Sequence, residues 1–207
     1  SMSEVTYGEA KIAALGEAMR ADERIVIIGG YAFNFSGLGH MHLAQPLLDE
    51  FPDRVYAPPI SEAAFTGAGI GAAIAGLRPF VTYGAASFCF NAWLQLVGEA
   101  ANVDYMSGGQ TKAPAIFHML VGLRGGGAAQ HSARPQAMFM QAPGLQVVAP
   151  STAADFRGML ATVLESDQPT IWIDHAGLTP LRWPADGPAR VPLGRADVKR
   201  EGKDVTL

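Results

Sequence analysis

The sequence predicts an α/β fold, a doubly wound, mostly parallel sheet with helices on both faces. Three observations predict it. Short apolar runs closed by Gly or Pro alternate along the chain with segments of helical period, the order that builds right-handed crossovers. Those runs are apolar at consecutive positions, as in Ile25-Val-Ile-Ile28, which suits strands covered on both faces. The 207 residues are 49% hydrophobic and 16% charged, enough apolar material for one well-packed domain.

Ser1-Met2 reads as a cloning scar, and nothing after it resembles a targeting segment. Thr6-Tyr-Gly-Glu9 fits a capping box, and Ile12, Leu15 and Met19 continue a helical stripe to about Asp22. Residues 24–29 are the first buried strand. A Gly- and aromatic-rich loop, Tyr31 to Gly39, leads to a helix over 42–50 and a short strand over 54–57. Pro58-Pro59 punctuates before a small-residue helix over 61–76. A strand over 79–83 and a helix over 88–106 follow. Next come a strand over 113–120, a Gly-rich loop over 122–130 and a helix over 132–141. A strand over 145–149, a helix capped by Ser151 and running to Ser166, and a strand over 169–174 complete the pattern. After His175 the chain is Pro-rich and irregular. Residues 4–180 are expected to form one α/β domain, and 181–207 a linker ending in the first strand of a further, missing carboxyl-terminal domain. Ligands of such sheets bind outside the carboxyl ends of the strands, so the loops after Ile28, Ala57, Tyr83, Leu120 and Ala149 are the places for chemistry.

Composition excludes several classes. Acidic residues number 19 against 15 basic, a net charge of -4 with no basic cluster, so nucleic acid is not an expected partner. No apolar run approaches the roughly 20 residues of a membrane span. The single Cys cannot form an internal disulfide, and the chain is expected to be cytoplasmic. Cys89, with no second Cys for metal or redox chemistry, reads as a small buried hydrophobe.

Glu62 opens the small-residue helix, where the macrodipole favours an acid whether or not it has a further role. Gly67-Ala-Gly69-Ile-Gly71-Ala72 matches the dinucleotide-binding spacing, but its glycines lie within a helix rather than in the turn after a strand. Each helical Gly costs about 1 kcal/mol against Ala, so close approach of another helix, as at a subunit interface, is the economical account of them. Phe88 sits at a strand-to-helix junction and by itself reads as core. His131 follows the Gly-rich loop at an expected helix start, a setting that favours a neutral imidazole able to act as acid or base. Ser132 has no strained elbow around it, and His40-x-His42 would need ligands from elsewhere to hold a metal.

Pro59-Ile-Ser-Glu62, Gly71-Ala-Ala-Ile-Ala-Gly-Leu-Arg-Pro79, Ser107-Gly-Gly109, Gln130-His-Ser132 and Pro143-Gly-Leu-Gln-Val-Val-Ala-Pro-Ser-Thr152 occur in one order over residues 4–207. Together they resemble the beta subunit of thiamine-diphosphate-dependent 2-oxoacid dehydrogenases, the pyruvate, branched-chain and acetoin types, and their transketolase-like pyrimidine-binding domain. The resemblance implies that Glu62 hydrogen-bonds the pyrimidine ring nitrogen of the cofactor and favours the tautomer that removes the thiazolium proton. It also implies that Phe88 packs on the pyrimidine face. His131, as the active-site His, would stabilise charge or supply a proton during acyl transfer to a lipoyl group.

The same resemblance implies an alpha-type subunit that holds magnesium and the diphosphate, a second beta subunit, and a lipoyl acyltransferase. The family usually carries an acidic pair after the first strand, whereas this chain has Gly29-Gly30-Tyr31. Two other readings follow from that departure and from the shared domain. One is the pyrimidine domain of a transketolase-like or decarboxylase enzyme without a lipoyl carrier. The other is a degenerate, non-catalytic structural partner.

Overall fold

The computed structural model of the chain describes residues 4–29, 41–122, 127–195 and 198–207. Its elements are β1 (Glu4–Thr6), α1 (Tyr7–Ala21), β2 (Ile25–Ile28), α2 (Met41–Glu50), β3 (Val55–Tyr56), α3 (Glu62–Ile74) and β4 (Arg78–Ala85). A 3₁₀ segment (Ala86–Ala92), a π segment (Leu94–Ala100) and α4 (Val103–Met106) follow. The second half holds β5 (Ile116–Val121), α5 (Ala128–His131), α6 (Gln136–Met140), β6 (Gln146–Val148), α7 (Ala153–Val163), β7 (Thr170–His175) and β8 (Arg182–Pro184).

The main sheet has six strands in the order β3-β2-β4-β5-β7-β6, every pair parallel. Leaving β2, the chain goes first to β3 on one side and then, after β3, to β4 on the other. The carboxyl end of β2 is therefore a switch point of the topology, where such sheets open a crevice. β1 and β8 form a separate antiparallel pair, with Val5 opposite Trp183.

Alternation along each strand builds two cores. Ile25 and Ile27 join Phe80, Ile116 and Trp172 against Tyr7, Met19, Phe156 and Leu160 of α1 and α7. Val26 and Ile28 join Val81, Tyr83, Phe117 and Ile171 against Phe65 and Ile70 of α3 and Cys89 and Leu96 beyond it. Trp172, Phe117 and Phe156 are wholly buried. Each such side chain contributes roughly 1.5–3 kcal/mol by leaving water, so the central strands anchor the fold.

The capping box at Thr6 forms as expected: the Thr6 hydroxyl accepts from the Glu9 amide at 3.1 Å, and Glu9 Oε2 accepts from the Thr6 amide at 2.8 Å. Three local expectations are corrected. The helix before β7 is capped by Thr152, not Ser151, because Asp155 lies three residues after Thr152 and completes the reciprocal box; Ser151 instead donates its hydroxyl to Asp155 Oδ2. It also ends at Val163 rather than Ser166. Of the helix expected over 132–141 only Gln136–Met140, α6, is helical, since Pro135 disfavours helical backbone at Arg134, while the short α5 falls largely in the segment expected to be a Gly-rich loop.

The third correction bears on the site. No continuous α-helix spans 88–106. Ala86, Cys89 and Ala92 are each fully buried at intervals of three, which matches the 3.0 residues per turn of a 3₁₀ helix better than 3.6. Leu96 and Ala100, buried four apart, then fall in the wider π turn.

Candidate active site

At the switch point, a cavity of about 390 Å³ opens beside the ends of β2 and β3. Ile28, Tyr56, Pro58, Ala64, Phe65 and Ala68 line it, an apolar wall with the first turns of α3 on one side. Glu62 is the first residue of α3 and is only 7% exposed. A carboxyl this buried needs partners; it sits in the first turn of a helix, where the macrodipole favours negative charge, and Asn91 Nδ2 donates to its Oε2 at 3.3 Å. One turn on, Thr66 hydrogen-bonds the hydroxyl of Tyr83 from β4 at 2.5 Å, both wholly buried, which pins this end of α3 to the sheet. Burial raises the Tyr83 phenol far above its ordinary value, with the Thr66 hydrogen bond opposing, so it stays protonated.

Phe88 and His131 meet edge to face, ring centroids 5.1 Å apart at 78°. His131 Nδ1 lies 3.1 Å from the Gly127 carbonyl oxygen, which can only accept, so Nδ1 carries a proton and a neutral ring presents Nε2 as an acceptor. His131 closes the single turn of α5 instead of opening a helix, so the helix N-terminus argument does not apply to it. Ser87 ties this segment down, its hydroxyl accepting from the Ala133 amide at 3.0 Å.

Sequence reasoning thus named Glu62, Phe88 and His131, and the 3₁₀ segment joins them: Phe88 meets His131, and Asn91 meets Glu62. Asn91 and Ser87 were missed. The interval of three among Ala86, Cys89 and Ala92 was the available signal, because it places Phe88 and Asn91 one 3₁₀ turn apart. Cys89 is buried as expected, its thiol pushed up to about 12 by burial. Gly30, Tyr31 to Gly39, His40 and the side chain of His42 lie outside the described residues. Among the described residues no cluster of His, Cys, Asp and Glu side chains could hold a metal ion, and no helix is long and apolar enough to cross a membrane.

A second polar cluster lies on the other face of the sheet. Lys11 Nζ donates to Asp174 Oδ2 at 2.8 Å and lies 2.7 Å from His118 Nε2. His118 Nε2 also lies 2.9 Å from Asp174 Oδ2, so it faces both the ammonium and the carboxylate, and His118 Nδ1 lies 2.9 Å from Thr82 Oγ1. Tyr7 Oη and Trp172 Nε1 both donate to Asp174 Oδ1 at 2.8 Å. Burial alone would raise the Asp174 carboxyl, but the Lys11 charge and the hydrogen bonds hold it far below the usual carboxylate range. His118 is pushed down to about 4 by burial and then by Lys11, against the pull of Asp174, so its contact with that carboxylate is no ion pair at neutral pH.

The sequence profile described as the transketolase pyrimidine-binding domain matches residues 3–180. Over 210 residues the chain is 36% identical to the pyruvate dehydrogenase E1 component subunit beta-1, mitochondrial, of Arabidopsis thaliana, covering 99% of this chain and 57% of that protein. It is 36% identical over 208 residues to the E1 component subunit beta of Rickettsia conorii, covering 99% of this chain and 63% of that one. The corresponding subunit of Rhizobium meliloti is 38% identical over 209 residues, 45% of its length. The chain therefore spans less than two thirds of these curated relatives. A solved split-gene transketolase, described as an inactive beta4 tetramer, superposes with a TM-score of 0.74 at 22% identity over 96% of this chain and 60% of its own, a likeness of fold. With the profile, the relatives and the six-stranded parallel sheet in agreement, the chain belongs to the transketolase pyrimidine-binding domain family.

Proposed function

We propose that the chain is the pyrimidine-binding part of a beta-type subunit of a thiamine-diphosphate-dependent 2-oxoacid dehydrogenase. The observation that carries this reading is the convergence of Glu62, Phe88 and His131 on the 3₁₀ segment, with an apolar cleft at the head of the helix that Glu62 opens. A buried carboxyl, an aromatic ring and an apolar wall suit a flat heteroaromatic ring that offers a nitrogen to the carboxyl. Thiamine diphosphate, when bound, supplies the electron sink for decarboxylation of a 2-oxoacid.

In that setting each residue has its own task. Glu62 would hold the pyrimidine ring nitrogen through a shared proton, a bond that exclusion of water would strengthen. Phe88 packs on the ring face and holds His131 by its edge. His131, with Nδ1 tied to Gly127, would keep Nε2 to hold or move a proton beside the bound cofactor, in support of acyl transfer to a lipoyl carrier. Magnesium and the diphosphate are assigned to an alpha-type partner. The outer face of α3 supports assembly with such a chain or a second beta chain, since among the described residues a Cβ added at Gly67 or Gly71 would meet nothing within 4 Å.

The test is reconstitution with the alpha-type partner, magnesium and thiamine diphosphate. Glu62→Gln is expected to reduce 2-oxoacid decarboxylation by about 100-fold or more with the fold intact. Undiminished activity of that variant in a working complex overturns the reading. In calorimetry the isolated chain is expected to show no tight magnesium-dependent binding of the cofactor, and micromolar binding would contradict the assignment of the diphosphate to the partner.

A further inference from the structure

The structure assigns Asn91 as a positioning residue for Glu62, held on the same face of one 3₁₀ turn as the ring that meets His131. The inference rests on the proposed function, since it concerns how the Glu62 carboxyl is presented to the pyrimidine nitrogen.

The last torsion of a glutamate is broad and roughly two-fold, so burial alone does not fix the plane of its carboxyl group. Asn91 Nδ2 donates to Oε2 at 3.3 Å, one of the contacts that orient that plane and with it the other oxygen. A carboxyl turned out of the ring plane shares a proton poorly with a ring nitrogen, because hydrogen bonds weaken steeply as their angle closes. The amide therefore acts through Glu62 and not on the reacting atoms.

The backbone makes the arrangement specific. In a 3₁₀ helix residues three apart eclipse, so Phe88 and Asn91 project from one side of Ala86–Ala92. In an α-helix they would diverge by about 60°, and a ring seated on His131 would leave the amide turned away from Glu62. The same turn carries Ser87, whose bond to Ala133 fixes the His131 segment from the neighbouring position. Both acid-base groups of the proposed site are thus registered by one short segment, whose buried face carries Ala86, Cys89 and Ala92 at intervals of three.

The test uses the chain assembled with its alpha-type partner, magnesium and thiamine diphosphate, and reads hydrogen–deuterium exchange of the cofactor's thiazolium proton by nuclear magnetic resonance, cofactor affinity by calorimetry, and the melting temperature. Asn91→Leu keeps the size and removes the donor; it is expected to slow exchange about tenfold while affinity stays within about threefold and melting is unchanged. Asn91→Gln, which restores an amide, is expected to recover most of the exchange rate. Wild-type exchange in Asn91→Leu, with exchange lost in Glu62→Gln, overturns the positioning role and leaves the reading of Glu62 standing. Wild-type exchange in Glu62→Gln itself overturns the proposed function. Equal slowing by Leu and Gln accompanied by lowered melting temperatures would make Asn91 a stability residue and overturn the inference.

Discussion

The two faces of the sheet carry two polar clusters built on opposite terms. Under α1, the Asp174 carboxylate is 1% exposed and receives Tyr7, Trp172 and Lys11, while His118 is tied to Thr82 and Lys11. On the α3 side, Glu62 lies near an open apolar cleft, and His131 turns a ring nitrogen away from its backbone partner. In the closed cluster Asp174 and His118 are both strongly perturbed, yet the cluster sits in a core with Phe80 stacked on the imidazole. A strongly shifted titration marks a functional site only where a ligand can reach it; within a packed core it marks a strut.

The largest effect that distinguishes the clusters is on stability. Asp174→Ala removes the acceptor shared by a phenol, an indole and an ammonium, and leaves those donors in the core with nothing to meet. Breaking a buried charged network from one side typically costs 3–5 kcal/mol, so denaturant unfolding of this variant is expected to show a loss of about that size or failure to fold. Glu62→Gln, close in shape and at the rim of a cleft, is expected to change stability by less than about 1 kcal/mol. A Glu62 variant as unstable as the Asp174 one would erase the distinction between strut and site.

Acid should reach the closed cluster first. An unfolded His titrates near about 6.5, while His118 in the fold is held at about 4. Between those values the unfolded chain binds a proton that the folded chain refuses. Stability is therefore fully present above about 6.5 and is lost as pH falls toward 4, by an amount on the order of 3 kcal/mol. Below that range Asp174, whose folded carboxyl lies far under its unfolded value, adds a further loss. Denaturant curves of wild type and His118→Gln across this range check the sign: the variant should show a flatter slope, and parallel slopes would remove His118 from the account.

Much of this arrangement is legible in the sequence, for reasons that differ by residue. The run Ile25-Val-Ile-Ile28 could only be a strand buried on both sides, and it is. Thr6 and Glu9 announce their cap through spacing alone, because a capping box is a local device. Glu62, Phe88 and His131 are legible through motifs, although their contacts are not. The Lys11–His118–Asp174 cluster left no trace in the reading, since its members lie up to 163 residues apart and only strand order and register bring them together. The 3₁₀ winding of 86–92 was written in the spacing of Ala86, Cys89 and Ala92 but was overridden by the helical length of the segment. Residues that act through distant partners are the ones local periodicity cannot supply.

The smallest expected effect divides the glycines of α3, and with them the closed interior from the open face. A Cβ at Gly69 would meet Val81 Cγ2 at 2.5 Å, so this glycine is explained within the chain by close approach of α3 to β4. Gly69→Ala should therefore destabilise by roughly 1–3 kcal/mol, as other over-packing changes do. A Cβ at Gly67 would meet nothing within 4 Å among the described residues, so no packing there offsets its helix penalty. Gly67→Ala is expected to raise the stability of the isolated chain by up to about 1 kcal/mol, the difference in helix propensity. If the bare face is where a partner helix seats, the same methyl group should weaken assembly with an alpha-type or second beta chain, measured by sedimentation of mixtures at graded concentration. A variant that melts higher and assembles undiminished would show that close helix packing across this face is not the reason for its glycines.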